Sequence, residues 1–528
     1  MALDPSYIPT KSGLLSTGYV DKTSIINVGN INAEYAKAMS RWQLCRDVTE
    51  GEDIVRSKGT LYLPKPSGQT EQEYTSYSLR ASFTNATGRA LDGLEGLIFR
   101  KKPTSLMPEE MEEIAEDITT TGLTLDELAK YATDEVIRVG RGGLLVEYPT
   151  TIAGERTISD VEEDNEHPYL TFYPAEAIID WREGRIKNKK KPTFVKLREW
   201  LETPSPTNPM ETETIQLIRI IQLNAEGYCE QLEYLGSLDQ GVLPTIKPVI
   251  INGEPLTYIP FVFLGPVGTS PSVSKPPIYD IAIKNVHHWQ VSADRANAVH
   301  WSDCPTPVVI GNIISTDGAP VETIKLGSTT VLNIAQGSDA KFLEFMGHGL
   351  VATKELMQEY MSEMAILLSR ILAGDSKAAE AAETAAIHRA GENAVLASIA
   401  NSISSGFTKA LQIMAKWLKL DDQVSYRLNT NFYPTPLSSQ NLIALTNALI
   451  ARTISQEEFF EALVAGDVIR PDKTLDQHKE EIAAMPSIEV QTGGALNPMN
   501  PANAPQDQNH DTKSPGSDDE TSPVGASI

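Results

Sequence analysis

The segment that decides the fold is residues 350–420, which read LVATKELMQEYMSEMAILLSRIL, then AGDSKAAEAAETAA, then IHRAGENAVLASIANSISSGFTKALQIMAKWLKL. Its first part spaces apolar side chains three and four residues apart, as on one face of an α-helix; they are Leu356, Tyr360, Met364, Leu367 and Ile371. Its last part does the same with Leu396, Ile399, Ile403, Phe407, Ala410, Met414 and Trp417. A helix over residues 384–418 would be roughly 50 Å long at about 1.5 Å per residue. The segment therefore predicts two amphipathic helices joined by a small-residue connection.

The length and charge of the chain limit what it can be. Its 528 residues exceed one ordinary hydrophobic core, so we expect two to four subdomains. With 41% hydrophobic and 22% charged residues, the composition is typical of a soluble globular protein. The net charge of -25 disfavours a conventional nucleic-acid-binding module. The negative net charge also suits a surface along which DNA moves without binding. Composition alone does not distinguish this role from simple solubility.

Motifs for catalysis, cofactors, metals or membranes are not evident. The cysteines at 45, 229 and 304 are isolated, as expected for reduced thiols in a cytoplasm, and no histidine spacing completes a zinc site. His287, His288 and His300 are interpreted as helix-surface residues. The sequence lacks a signal-peptide pattern and an apolar run of roughly 20 residues. No nucleophile, paired-carboxylate or P-loop constellation has a distinctive spacing, so we predict a protein that is not an enzyme and has no cofactor.

The N-terminal half mixes helices with β-rich segments. We predict an irregular arm over residues 1–30 and helices at 32–48, 71–98 and 123–139, the last with a capping box from Thr124 to Glu127. The glycines of GRGGLLVEYP follow a helix and precede a strand, which favours a tight turn over a phosphate loop. Residues 165–270 predict an antiparallel sheet. The basic segment REGRIKNKKK, residues 182–191, is interpreted as a solvated hairpin turn, with phosphate contact as the alternative.

Two further helices enclose a β insertion. The first covers residues 277–301, where Ser292, Ala293 and Ala296 permit close approach by another helix. Three short strands follow within 305–347, so helices 277–301 and 350–372 should lie side by side with the insertion at their tip. After residue 420 come a short β-like segment and two helices, the second beginning at Ser455 with a capping box to Glu458. Residues 486–528 predict disorder. The fold class is α+β.

The order of these parts resembles the portal, or head-to-tail connector, proteins of tailed bacteriophages. The matching segments are YLPKPSGQTEQEYTSYSLRASFTNATGRALDGLEGLIFRKKP with GRGGLLVEYP, IYDIAIKNVHHWQVSADRANAVHWSDCPTPVVIG, AKFLEFMGHGLVATKELMQEYMSEMAILLSRIL through TAAIHRAGENAVLASIANSISSGFTKALQIMAKWL, and ISQEEFFEALVAGDVI. Together they cover most of residues 58–470. No single segment is a sharp motif, and the resemblance rests on the order of the whole.

The resemblance implies a ring of about twelve subunits at one capsid vertex, formed by a portal-like α+β architecture. Its parts would be an N-terminal arm and wing (1–276), stem helix 1 (277–304), a β-rich clip (305–347), stem helix 2 (348–372), a tunnel loop (373–386), a long wing helix with a return strand (387–434), a helical crown (435–485) and a disordered acidic tail (486–528). The clip would face the packaging motor and later the tail adaptors.

The resemblance also implies sites and partners. Gly374, Asp375, Ser376 and Lys377 would lie in the DNA channel, where Lys377 either contacts phosphates transiently or is simply solvated. Ser292, Ala293 and Ala296 would be the stem-packing residues. The expected partners are identical subunits, double-stranded DNA without sequence specificity, terminase, head-completion or tail-adaptor proteins, the major capsid protein and a scaffolding protein, with no membrane. The alternatives are another virion component, such as a tail adaptor, and an acidic cytosolic enzyme.

Overall fold

The computed structural model describes residues 29–148, 167–186, 188–205, 208, 210–235, 245–251, 254–302, 306–311, 335–343, 348–372, 394–421, 423–432, 439–466, 468–469, 473 and 475–484. Three predicted features fall outside the described residues and stay predictions: nearly all of the arm at 1–30, the tunnel loop at 373–386 and the acidic tail at 486–528. The middle strand predicted for the β insertion also falls outside them.

The N-terminal part is mostly helical. Its elements are α1 (Ala33–Glu50), α2 (Glu52–Ser57), α3 (Glu71–Arg80), α4 (Ala86–Ile98), β1 (Thr104–Leu106), α5 (Glu109–Glu116) and α6 (Leu125–Val139). The predicted capping box is confirmed, since the Thr124 side chain accepts from the Glu127 amide and the Glu127 side chain accepts from the Thr124 amide. The single helix predicted over residues 71–98 is wrong, because the chain leaves the helical conformation after Arg80 and α4 begins again after Asn85.

The antiparallel sheet predicted over residues 165–270 is confirmed. The strands are β2 (Gly142–Glu147), β3 (Tyr169–Pro174), β4 (Ile178–Ile186), β5 (Lys189–Pro204), β6 (Thr212–Leu223), β7 (Cys229–Leu235), β8 (Thr245–Pro248), β9 (Ile250–Ile251), β10 (Glu254–Pro255) and β11 (Phe261–Leu264). One sheet has five strands in the order β4-β5-β6-β7-β8, and another has three in the order β11-β2-β3. Residues 182–191 form the end of the β4–β5 hairpin, as predicted.

The glycine cluster at the end of α6 makes a turn, which confirms the interpretation as a tight turn. Gly140 ends the helix in the left-handed conformation with φ 76°, where a side chain is strained. Gly143 lies in the middle strand of the three-stranded sheet, where a Cβ atom would come within 2.2 Å of the Phe261 ring. These glycines thus connect a helix to a crowded sheet.

The C-terminal half is built on long helices. Its elements are α7 (Tyr279–Ser302), β12 (Thr306–Ile310), β13 (Asp339–Leu343), α8 (His348–Leu372), α9 (Ala394–Leu418), β14 (Ser425–Arg427), α10 (Ser439–Ile450), α11 (Gln456–Ala465) and α12 (Leu475–Ala484). The predicted Ser455–Glu458 capping box of α11 is confirmed. Strand β14 pairs with the distant β1, from Thr104 opposite Arg427 to Leu106 opposite Ser425. The α+β fold class is confirmed.

Two hydrophobic cores hold these elements together. The first is centred on α9, and the predicted apolar face of that helix is buried from Leu396 to Met414. The second lies under the five-stranded sheet and includes Trp181 and Phe194. Helix α1 contributes to both, with Cys45 in the first core and Trp42 in the second. Helix α6 and strands β2 and β11 also contribute to both cores, so the two cores share several elements.

Candidate functional site

The candidate functional site is a long hairpin made of α7, the β12–β13 ribbon and α8. Strands β12 and β13 pair antiparallel, with Thr306 opposite Leu343 and Ile310 opposite Asp339. The two helices lie side by side, as predicted, and Lys284 of α7 forms an ion pair of 2.7 Å with Glu363 of α8. That carboxylate raises the pKa of Lys284, because it favours the charged form.

Burial divides the hairpin into a base and a distal half. The buried residues of α7 lie between Ile281 and Ala293, and those of α8 are Met364 and Ile371. Every described side chain at 294–302 and at 349–363 is exposed or half-buried. The distal half includes large exposed apolar side chains, namely Trp301 at 63% exposure and Val351 at 61%. The base of the hairpin is therefore packed in the first core, whereas the side chains of the distal half lie outside that core.

Asn285 attaches the base of α7 to the start of α4. Its Oδ1 atom accepts hydrogen bonds from the Ala86 amide at 3.1 Å, the Thr87 amide at 3.0 Å and the Thr87 hydroxyl at 2.9 Å. Its Nδ2 atom donates to the Thr84 carbonyl at 2.9 Å. The first amides of a helix have no partner within the helix. Asn285 is fully buried and supplies that partner from another helix.

Three more contacts continue this attachment along α7. The Ser292 hydroxyl donates to the Ser82 carbonyl at 2.8 Å and accepts from the Ser82 amide at 3.0 Å. Tyr77 donates to Asp294 at 2.6 Å. Because Ser82 lies between α3 and α4, these contacts also explain the break in the predicted helix: polar side chains of α7 bond to backbone groups there.

The predicted stem-packing residues do not share one environment. Ser292 and Ala293 are buried within the chain, at 5% and 0% exposure, whereas Ala296 is half-buried. Ala293 packs in the first core of its own chain. Packing of this face against another subunit remains a prediction. The four predicted channel residues, Gly374 to Lys377, lie outside the described part of the chain.

Of the three histidines on α7, His288 differs from the interpretation as a surface residue. It is 5% exposed, and its Nδ1 atom has no hydrogen-bond partner among the described residues. Burial lowers the pKa of His288, because the charged imidazolium loses its hydration. His287 is half-buried with its ring 5.9 Å from that of Tyr360, and His300 is exposed. Sequence spacing placed His288 on the helix but not against the rest of the chain.

Sequence reasoning also missed the role of Asn285. The available signal was an amide between apolar neighbours at helical spacing, since a buried amide needs partners for its oxygen and its nitrogen.

The connection between α8 and α9 is attached to the first core at both ends. Ile371 is buried at the end of α8, and Leu396 is fully buried near the start of α9. The Ser402 hydroxyl of α9 donates to the Gly265 carbonyl at 2.6 Å. The predicted tunnel-loop segment is therefore bounded by two helices fixed in one core.

The described residues show neither a metal-ion cluster nor a membrane-spanning helix. No group of three or more His, Cys, Asp or Glu side chains there is arranged to hold a metal ion. None of the helices described is long and apolar enough to cross a bilayer.

Comparison with known proteins gives a domain match and similarities to solved structures, two of them from a gene transfer agent. A family described as a domain of unknown function (DUF4055) matches residues 277–418, which contain the hairpin and α9. No curated protein matches. A structure titled "Virion of native gene transfer agent (GTA) particle" is 13% identical, covering 79% of this chain and 99% of the other, with a TM-score of 0.31. One titled "Neck of native GTA particle computed with C12 symmetry" is 13% identical, covering 78% and 99%, with a TM-score of 0.32. TM-scores this low do not establish a shared fold.

Proposed function

We propose that this chain is a portal protein, a ring-forming virion component at one capsid vertex through which genome DNA is packaged and ejected. The observation that carries the proposal is the hairpin of α7, the β12–β13 ribbon and α8. Its base is buried in the first core, and its distal half is uncovered. A single chain rarely leaves a hairpin of this length uncovered unless another chain covers it. Identical neighbours in a closed ring are the simplest cover.

The β ribbon at the tip supports the same reading. Among the described residues this ribbon has two strands, which are marginal alone and whose outer-edge backbone groups need partners. In a ring these edges can pair between subunits. The tip would then be the docking surface for the terminase motor and later for head-completion or tail-adaptor proteins, while the outer parts of the chain would face the major capsid protein and a scaffolding protein.

Charge supports a conduit rather than a DNA-binding module. About twelve copies of a chain with net charge -25 give a ring with a charge on the order of -300, which repels DNA along most of its surface. DNA can then move in both directions without adhering. Catalysis and a cofactor have no part in this role. The protein would be assembled in a host cytoplasm and be located in the virion.

The tunnel loop is the part of the proposal that would contact DNA. Residues 373–386 follow α8 in the connection to α9, so a ring with the hairpins around its axis would present this segment near the channel. Gly374, Asp375, Ser376 and Lys377 would line the channel, with Lys377 as the cation that meets phosphates transiently.

Assembly of the purified protein tests the ring. We expect mass photometry at micromolar concentration to show a species of about twelve subunits, with end-on views in negative stain showing a central hole. A strictly monomeric protein would refute the proposal. Replacing residues 375–377 with a Gly-Ser linker should leave rings intact and reduce packaged genome length, and unchanged packaging and particle yield would refute the tunnel-loop role.

A further inference from the structure

The strongest local concentration of positive charge lies on the β4–β5 hairpin. Its exposed cations are Arg182, Arg185, Lys189, Lys190 and Lys191. Lys190 is ion-paired with Glu183 across the hairpin. Side chains alternate between the two faces of a strand, so Lys189 and Lys191 lie on the face opposite Lys190. Neither forms an ion pair with any described residue.

Helix α5 carries the opposite charge. Five of its eight residues are exposed glutamates; they are Glu109, Glu110, Glu112, Glu113 and Glu116. Met111, at 2% exposure, packs the other side of the helix into the first core. None of the five carboxylates forms an ion pair within the part of the chain that the structure describes. The helix thus presents an uncompensated anionic face to its surroundings.

The two charged surfaces belong to different parts of the molecule. The hairpin strands pack into the second core through Trp181 and Phe194, whereas α5 packs into the first core through Met111. Each copy therefore offers one basic surface and one acidic surface at separate places. A head-to-tail interface needs two such different and complementary surfaces, and its repetition closes a ring when the rotation between neighbouring copies divides a full turn.

We propose that the β4–β5 hairpin of one copy docks on helix α5 of the next copy. The inference rests on the proposed ring and names one of its contacts. A second copy supplies the required anionic surface and at the same time neutralises a helix that has no cations of its own. DNA is the less favoured occupant of the hairpin, because a chain of net charge -25 repels it and the glutamates of α5 would stay uncompensated.

Charge-reversed variants test the contact. The hairpin variant is Lys189→Glu with Lys191→Glu, and the helix variant is Glu113→Lys with Glu116→Lys. Both should fold normally, since the lysines have no ion pair with a described residue to lose and cations near the C-terminal end of α5 interact favourably with the helix dipole. Each variant alone should raise the protein concentration at which rings form by about tenfold or more, because it removes most of the charge attraction between the two surfaces.

A mixture of the two variants distinguishes a specific loss of this interface from a general loss of folding. In an alternating ring of the two variants, the glutamates introduced on the hairpin of one copy face the lysines introduced on the helix of the next, and the remaining interfaces keep their original charges. A one-to-one mixture should therefore form rings at the wild-type concentration, and so should a chain that carries all four substitutions. If each variant alone assembles like the wild type, or if neither combination restores assembly, the proposed contact is wrong.

Two further measurements distinguish a failure of the proposed ring from a failure of this contact, and a DNA-binding hairpin from a subunit-binding one. A wild-type protein that stays monomeric refutes the ring and this contact with it, whereas wild-type rings with unaffected variants refute only the contact. Fluorescence anisotropy with a labelled duplex addresses the other occupant. If the hairpin variant loses duplex binding while its ring formation is unchanged, the hairpin serves DNA and the proposed contact is wrong.

Discussion

Replacing Asn285 with alanine should loosen the attachment of the hairpin to the rest of the chain. The substitution removes the acceptor of three hydrogen bonds and the donor of one, all at the start of α4. Thr87 is fully buried, so its amide and hydroxyl would lose their partner out of reach of water. An unsatisfied buried group costs about 1 to 3 kcal/mol. We therefore expect the free energy of unfolding to fall by about 3 kcal/mol.

Urea unfolding followed by tryptophan fluorescence measures this loss at the relevant place. Trp289 lies one turn from Asn285 on α7, is fully buried, and packs edge-to-face against Phe83 at 6.4 Å. Its emission should shift to longer wavelength when the base of the hairpin separates from α4. The unfolding midpoint of the Asn285→Ala variant should decrease with little change in the slope of the transition.

Asn297→Ala is the matched control on the same helix. Asn297 is half-buried and accepts one hydrogen bond from Arg80 at 3.2 Å, so its loss should cost about 0.5 kcal/mol. A change of less than 0.5 kcal/mol for Asn285→Ala, or equal changes for the two variants, would refute the argument that Asn285 holds the hairpin to α4.

Four other substitutions give opposite or graded results in the same unfolding assay. Gly143→Ala places a Cβ atom 2.2 Å from Phe261 and should lower the free energy of unfolding by about 3 kcal/mol, whereas Gly96→Ala, in a helix with nothing within 4 Å, should raise it by about 1 kcal/mol; equal effects would contradict the crowding argument. Arg141→Met should raise the free energy of unfolding by about 1 kcal/mol, because burial lowers the pKa of this enclosed guanidinium to about 9 and two of its nitrogens have no partner among the described residues; a large loss of stability would show that its stacking on Trp181 outweighs burial. His288 has a folded pKa below its ordinary value of 6.5, so the stability present above pH 6.5 should decrease as the pH falls through 6.5, and His288→Gln should show a smaller loss between pH 7 and 5; identical pH profiles would exclude this residue as a cause.

Features with a local cause could be predicted. The capping boxes at Thr124 and Ser455 follow from side chains three residues apart that bond to each other's backbone. The apolar face of α9 follows from helical spacing, and each predicted member from Leu396 to Met414 is buried. The turn at Gly140 follows from glycine's tolerance of positive φ. None of these needs knowledge of a distant segment.

Features that depend on a distant partner could not be predicted. The short strand β1 exists because it pairs with β14, more than three hundred residues later in the chain. Helix α5 was not predicted, although its acidic first turn and buried Met111 fit a helix end packed on a core. The β4–β5 hairpin was predicted, but the faces on which its lysines lie depend on strand register.

By itself, the sequence determined the long helices of this protein, the antiparallel character of its sheets and the position of the β ribbon between α7 and α8. These follow from periodicity, capping and turn chemistry, whose causes lie within a few residues. Only the tertiary structure decided where α3 stops and α4 starts, because Asn285 and Ser292 bond to that junction from about two hundred residues away. It also decided that His288 is buried and that the distal half of the hairpin is uncovered. Burial depends on which other segments pack against a helix, whereas helical spacing in the sequence shows only which side chains share one face of that helix.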